Sequence, residues 1–196
     1  MCDPKNCLFL IPARLGSVRI PKKNFRPLAG IPPVERALNC ALTLPHYGFL
    51  HVVVSTDAPM PTSIGGNGFS RIGRPPMLAT AEAPMIEVVE DVLKRWPHGD
   101  PIVLLQPTQP LRRPEHVAQA ISLLTTEVDS VVTIGLDRFV RDGTAYVFWR
   151  RTVEHTGMIY GDAVVLMPIP AKDTCPLDTP EQWDEAERRL AERRLR

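Results

Sequence analysis

The chain has 196 residues, 44% of them hydrophobic, and a net charge of +1, enough apolar material for one core of ordinary domain size and too little charge imbalance to attract nucleic acid or an anionic surface. No apolar run reaches the roughly 18 residues that a membrane span requires. The four cysteines (Cys2, Cys7, Cys40, Cys175) show neither a C-x-x-C pair nor zinc spacing, and Met1–Asn6 lacks the regions of a signal peptide, so a cytoplasmic protein with reduced thiols is expected, with no membrane or nucleic-acid partner.

Strand-like and helix-like segments alternate along the chain. Cys7–Ile11 is an apolar run that predicts a buried first strand. Pro33–Leu44 carries Val34, Ala37, Leu38, Ala41 and Leu42 on one helical face. Leu50–Ser55 is β-branched and predicts a strand, and Ala58–Pro76, with Gly65-Gly66-Asn67-Gly68 at its centre, predicts a loop. Pro84–Trp96 predicts a helix with Pro84 near its first position. Ile102–Leu105 predicts a strand, Pro114–Leu124 a helix and Ser130–Ile134 a strand. Thr144–Trp149 and Ala163–Met167 predict strands that form one antiparallel pair. Thr179-Pro-Glu-Gln182 has the pattern of a capping box opening a final helix, whose Arg-rich end, Arg188–Arg196, reads as a solvated face. The tryptophans at or near element ends (Trp96, Trp149, Trp183) are expected in the core, and the five histidines show no ligand spacing. Alternation of this kind predicts an α/β fold with a mostly parallel sheet and helices on both faces. No repeat or linker divides the chain, so residues 1–196 are expected to form a single domain.

Polar residues that hydrophobic patterning leaves unexplained concentrate in loops that follow predicted strands. The first, residues 12–24, packs Arg14, Arg19, Lys22 and Lys23 around Gly16, Ser17 and Asn24. Such a loop suits a polyphosphate: small residues let backbone N–H groups approach, and the cations neutralise charge. Neither a Walker A loop nor a dinucleotide fingerprint is present. The other loops are Ser55-Thr-Asp57, Gln106–Arg112 and Ile169–Asp178, and a doubly wound sheet gathers all four along one edge. Asp57 at a strand end reads more readily as a turn former or helix cap than as a ligand, and Arg112 with Arg113 as a charged loop.

The motifs Ile11-Pro-Ala-Arg-Leu-Gly-Ser-Val-Arg-Ile-Pro-Lys-Lys-Asn24 with Pro27-Leu-Ala-Gly30, Val54-Ser-Thr-Asp57, Arg74-Pro75 with Leu78-Ala79, Leu104-Leu-Gln-Pro-Thr-Gln-Pro-Leu-Arg112, Asp142-Gly143 to Tyr146, and Leu177-Asp-Thr179 occur together. In that order and spacing the chain resembles the cytidylyltransferases that activate sialic acid and related sugar acids, the CMP-N-acylneuraminate synthetases, with the CMP-KDO synthetases as relatives. The resemblance implies a Rossmann-like fold of the nucleotide-diphospho-sugar transferase type. It implies transfer of CMP from CTP to an acidic sugar with release of pyrophosphate. Arg14, Gly16 and Ser17 are then expected on the triphosphate, and Lys23 on the α-phosphate, with Arg14 and Lys23 as the catalytic cations. Asn24 is expected on the nucleoside, and Arg74 with the backbone near Ala83 on cytosine. Gln106 is expected to face the sugar acid, and Asp178 to ligate Mg²⁺.

Three departures from the family pattern stand out. Val18 occupies a position usually filled by Lys, with Arg19 beside it. The metal motif Asp-x-Asp-Thr is reduced to Pro176-Leu-Asp178-Thr, which leaves Asp173 as a candidate second acid. Between Ile134 and Asp142 only Gly135-Leu-Asp-Arg-Phe-Val-Arg141 intervenes, where the family carries a longer segment that helps to build its dimer and sugar pocket. Gln109 stands in the sugar-facing motif where Ser is usual. These departures imply a monomer or a dimer built differently from the family's. They also keep two alternatives open: a related transferase with a smaller acceptor or another nucleotide, and a nucleotide-binding module without catalysis.

Overall fold

The computed structural model describes residues 6–44, 51–59, 68–136 and 140–194. Its centre is β1 (Leu8–Pro12), buried along its whole length, as expected of a continuous apolar run covered on both faces. β1 pairs in parallel with β2 (His51–Thr56) on one side and β4 (Ile102–Leu104) on the other. β3 (Ser70–Gly73) extends the sheet beyond β2. On the far side β6 (Val140–Phe148) runs antiparallel to both β4 and β5 (Ser130–Gly135), and β7 (Val164–Ile169) pairs in parallel with β5. The seven strands are ordered β3-β2-β1-β4-β6-β5-β7. Two reversals at β6 restore the direction of β5 and β7. The carboxyl ends of β1, β2, β4 and β7 therefore share one edge with the beginning of β6.

Side-chain alternation divides the core. Phe9, Ile11, Val52, Val54, Val103 and Val147 pack against α1 (Pro33–Leu42) and α3 (Pro114–Leu123). Leu8, Leu10, Val53, Leu104, Tyr146 and Phe148 face the opposite side, against α2 (Met85–Arg95) and α4 (Arg150–Thr156). A third cluster forms under α5 (Pro180–Arg194), where Trp183, Ala186 and Leu190 meet Ile20, Leu28, Leu111 and Leu177. Ile20, Leu111 and Leu177 come from three of the loops singled out by sequence, so α5 fastens the loops of the sheet edge to one another. Removing a large side chain from the centre of the sheet has a predictable result. Phe9→Ala is expected to lower unfolding free energy by roughly 3–5 kcal/mol in a denaturant titration.

The predicted segments are found with small shifts of their ends, and four corrections follow. β6 and β7 do not pair: β5 and β6 are joined by a short connection and form a hairpin, which leaves β5's other edge for β7. β3 lies inside the stretch read as loop; only Ile72 of its four residues is buried, so it carries little pattern. α4 was not predicted either, because only Thr152 and Val153 of Arg-Arg-Thr-Val-Glu-His-Thr are buried; Gly157, at φ 64°, ends it. Pro84 stands just before α2 rather than within it.

The capping box is present: Thr179 Oγ1 accepts from Gln182 N at 3.3 Å, while Gln182 Oε1 accepts from Thr179 N at 3.0 Å. The Arg-rich end is only partly a solvated face, since Arg189 and Arg193 donate to carbonyls of Thr174 and Leu111, each reaching back beneath the sheet edge. Trp183 is buried, whereas Trp96 and Trp149 are half-buried at the rim. Cys7, Cys40 and Cys175 are buried with no disulfide among the described residues, and burial pushes the Cys40 thiol up to about 11. Leu50, Gly65–Asn67, Cys2, 137–139 and the last two residues lie outside the described residues. No helix among the described residues is long and apolar enough to cross a membrane.

Candidate functional site

The site begins where β1 ends. Ala13 N donates to the Ser55 carbonyl at 2.9 Å, and Leu15 N donates to Asp57 Oδ1 at 2.7 Å. Asp57 thus ties the opening loop to the end of β2. The loop then turns tightly, with Lys22 at φ 53° and both Phe25 N and Arg26 N donating to its carbonyl. A positive φ at a lysine costs about 1–2 kcal/mol. Here it leaves Lys22 exposed and turns Lys23 inward.

Lys23 Nζ donates to the Leu177 carbonyl and lies 3.5 Å from Asp178 Oδ1. Arg19 reaches the same carboxylate oxygen at 3.6 Å. The Lys23 side chain is 14% exposed and that of Asp178 48%, so the ammonium is sheltered and the carboxylate faces outward. Burial lowers the Lys23 pKa from its usual 10.5, against the pull of Asp178 and with some help from Arg19 and Arg14. Asn24 is buried and donates from Nδ2 to the Arg14 carbonyl at 2.9 Å; its Oδ1 is buried with no partner. An orphaned buried acceptor is costly, so this one marks a position that a donor would stabilise.

Arg74, also buried, donates through Nε to Ser55 Oγ at 3.2 Å and through Nη2 to the Ser55 carbonyl at 2.9 Å. Burial brings its pKa down to about 10, with Asp57 raising it and Arg14 lowering it. The Arg74 guanidinium therefore lies within the field of the opening loop, and much of its donor capacity already serves the end of β2. A Cβ added to Gly16 would meet the Ala79 carbonyl at 3.9 Å. That places the opening loop beside the segment leading from Arg74, and shows that glycine here is not demanded by packing in the free protein. Ser17 is half-buried. Ala83 lies just before α2, its N–H donated to Thr80 Oγ1 at 3.2 Å.

Beyond β4 the chain meets the first residues of β6. Gly143 has φ 77°, and a Cβ there would fall 2.4 Å from Gln106 Oε1; the glycine lets the Gln106 side chain lie against this backbone. Arg112 is not a loose surface charge. It donates to the carbonyls of Thr144, Gln106 and Gly143, riveting the two strand ends together. Arg113 pairs with Asp173 at 2.9 Å, as does Arg193 from α5 at 2.5 Å. Asp173 is buried beneath these two guanidiniums and has no room to act as the second metal acid suggested by the sequence. Gln109 is likewise turned inward, 1% exposed, and does not face an acceptor. Its Nε2 donates to the Asp142 carbonyl and its Oε1 accepts from Cys175 N at 3.0 Å.

Sequence reasoning missed the structural roles of Arg112, Asp173 and Gln109. A chain-long separation between partners leaves no local signal, although the exchange of a short Ser for a longer amide marked Gln109. The structure brings together Arg14, Lys23, Asn24, Arg74 and Asp178 around the opening loop, and sets Gln106 against Gly143 across β4. Among the described residues no group of three or more His, Cys, Asp or Glu side chains is placed to hold a metal ion. Of the residues around the opening loop Asp178 is the half-exposed carboxylate, shared by Lys23 and Arg19; Mg²⁺ in general keeps several waters and binds through one or two carboxylates together with substrate phosphates.

Comparison with known proteins gives a consistent picture. A family model described as cytidylyltransferase matches residues 8–145. The N-acylneuraminate cytidylyltransferase of Streptococcus agalactiae serotype III is 33% identical over 126 residues, which make up 63% of this chain and 30% of that protein. CMP-N,N'-diacetyllegionaminic acid synthase of Legionella pneumophila is 34% identical over 133 residues, 65% of this chain and 56% of that one. The chain thus matches less than two thirds of the length of these curated relatives. Among solved structures, a CMP:2-keto-3-deoxy-manno-octonic acid synthetase complexed with CTP superposes with a TM-score of 0.74 at 17% identity, covering 96% of this chain and 99% of that one. The 4-diphosphocytidyl-2C-methyl-D-erythritol synthase of Anaerococcus prevotii gives 0.67 at 14% identity, covering 96% and 97%. At these identities the two structures share the fold.

Proposed function

Because the chain belongs to the cytidylyltransferase family, we propose that it transfers CMP from CTP to an acidic sugar of the sialic-acid or related ulosonic class and releases pyrophosphate. The observation that carries this reading is the inward-turned Lys23 beside Asp178, at the mouth of a loop that also presents Arg14 and the unpartnered Asn24 Oδ1. An ammonium held in a sheltered site stabilises charge that develops on a phosphoryl oxygen far better than one in water.

In this reading Arg14, Gly16 and Ser17 take the triphosphate, and Asn24 Oδ1 accepts a donor from the nucleoside. Arg74 contributes to cytosine through the guanidinium N–H groups that Ser55 leaves over, together with the backbone around Ala83. Gln106 orients the acceptor so that its hydroxyl is in line with the α-phosphorus, where positioning does much of the catalysis. Lys23 leaves the Leu177 carbonyl for the α-phosphate. Asp178 is the residue that would hold Mg²⁺, whose contribution is to neutralise the phosphates and stabilise the leaving pyrophosphate. The same chemistry accommodates a smaller acidic alcohol as acceptor. We assign the protein to the cytoplasm, where CTP is available.

The test is pyrophosphate release with each of the four common NTPs, Mg²⁺ and a panel of sialic, legionaminic, pseudaminic and KDO-type acids. Release with CTP alone is expected. Release with GTP or UTP would place the chain with another nucleotide, and CTP-dependent thermal stabilisation without release would make it a binding module. In the same assay Asp178→Asn is expected to raise the Mg²⁺ concentration needed for half-maximal rate by about tenfold or more; an unchanged Mg²⁺ dependence would remove Asp178 from the metal site.

A further inference from the structure

The edge of the sheet next to Gln106 carries a second built feature that the transferase motifs do not absorb. Two residues before Gly143, Arg141 opens the way into β6. Its Nη1 donates to the Tyr160 hydroxyl at 2.7 Å, and its guanidinium carbon lies 5.1 Å from the centre of the Tyr160 ring. Tyr160 is itself fixed. Its ring makes an edge contact with Tyr146 at 6.4 Å, and its carbonyl accepts from Thr156 Oγ1 at 3.4 Å. Tyr146 belongs to the core cluster on the α2 and α4 side, the side to which Leu104 also points, and Tyr160 packs against that cluster. Gln106 lies two residues past the end of β4, with its side chain against Gly143, two residues from Arg141.

The carboxylate that neighbours Arg141 in sequence does not neutralise it. Asp142 is turned inward, Oδ1 accepting from Thr133 Oγ1 at 2.6 Å and Thr144 N at 3.0 Å, and Oδ2 from Thr144 Oγ1 at 2.7 Å. Among the described residues no carboxylate pairs with Arg141, and none of them hydrogen-bonds to its Nε or Nη2. A guanidinium set over an aromatic ring, with one N–H fixed on the hydroxyl and the two-pronged edge remaining, is organised for a carboxylate at little entropic cost.

Resting on the transferase reading, we propose that Arg141, laid on Tyr160, anchors the carboxylate of the acceptor while Gln106 orients its reacting end. Arg141 would then select acids over neutral sugars of the same shape. It stands at the start of β6, immediately after the shortened connection, so this chain supplies the acid contact from its own sheet edge. Tyr160 acts as a positioning residue, holding the guanidinium in place without touching the substrate.

The test measures binding of N-acetylneuraminate, of KDO and of their neutral methyl esters to the full chain by calorimetry, with CTP present and divalent metal withheld. Arg141→Gln is expected to weaken binding of the acids by about 10- to 100-fold, leaving CTP and the methyl esters unaffected. Tyr160→Phe is expected to give a smaller loss for the acids alone, and Arg141→Lys to restore only part of the affinity. Equal affinity of wild type and Arg141→Gln for the acids, or failure of the wild type to bind either acid at millimolar concentration, would overturn the proposal. Acid binding that depends on Arg141 without pyrophosphate release in the Mg²⁺ assay would uphold the anchor and overturn the transferase reading. Turnover with an unaltered acid preference in Arg141→Gln would do the reverse.

Discussion

Lys23→Ala is expected to reduce kcat by about a hundred- to a thousandfold while the protein stays folded. The lysine is the only cation of the opening loop that the structure turns inward from an exposed turn, and it is held there by the Leu177 carbonyl and Asp178. Its removal leaves Asp178 facing solvent and paired with Arg19, so the larger effect falls on the reaction. Lys23→Arg keeps the charge but spreads it over a planar fork, and partial recovery is expected. A Lys23→Ala enzyme with near-normal kcat would show that the charge on the α-phosphate is met elsewhere, Arg19 being the neighbour within reach of Asp178.

The pH profile offers an independent check on the same residue. Burial lowers the Lys23 pKa below 10.5, so kcat/KM, which reports the free enzyme, is expected to fall on the alkaline side before an unburied lysine would titrate. A bound triphosphate favours the ammonium, so the alkaline limb of kcat is expected at higher pH than that of kcat/KM. The stability consequence has the opposite sign. Between the lowered folded pKa and 10.5 the unfolded chain binds more protons, so the lysine's contribution to stability rises with pH in that window. Lys23→Arg is expected to move the alkaline limb upward; a limb at the same pH in both enzymes would assign it to another group.

Gln109→Ser is expected to lower stability by about 1–3 kcal/mol and to cut kcat by about tenfold to a hundredfold. The amide is unambiguous in orientation, because the Cys175 N–H can only donate and the Asp142 carbonyl can only accept. Gln109 therefore joins the first residues of β6, on which Gln106 lies, to the segment that leads to Asp178. A serine cannot span both partners, and at 1% exposure water does not easily replace the lost contacts. Gln109→Glu keeps the acceptor for Cys175 N but loses the donor to Asp142 and buries a charge, so a larger loss of stability is expected. KM for CTP is expected to change less than KM for the acceptor, since the opening loop is held separately by Asp57 and by α5. A Gln109→Ser protein with wild-type stability and acceptor KM would contradict the bridge.

Arg112 and Asp173 illustrate why some of the site escaped the sequence. Both lie in polar loops where charged residues are ordinarily solvated, and only contacts made across long chain separations reveal Arg112 as a half-buried rivet and Asp173 as a buried one. Gln109 belongs with them. Asn24, by contrast, was placed by its motif, and the structure adds that its Oδ1 is buried and unpartnered. Arg141 and Tyr160 carry no motif at all. They meet only because β6 runs antiparallel to its neighbours and α4 returns the chain beside it.

Local pattern by itself determined the central buried strand, the amphipathic α1, the capping box of α5 and the cationic loop after β1, because each rests on contacts within a few residues. It also determined the family, since motifs in order along a chain need no fold to be compared. Only the tertiary structure decided how the opening loop works. The φ of Lys22, the pull of the Leu177 carbonyl and the packing of Ile20 and Leu28 under α5 turn Lys23 inward and leave Lys22 outward. It likewise decided that β6 is reversed between β4 and β5, which brings Asp142, Gly143 and Arg141 to the edge where β1, β2 and β4 end. Strand direction and loop docking are set by burial summed over distant segments, and that sum exists only once the chain has folded.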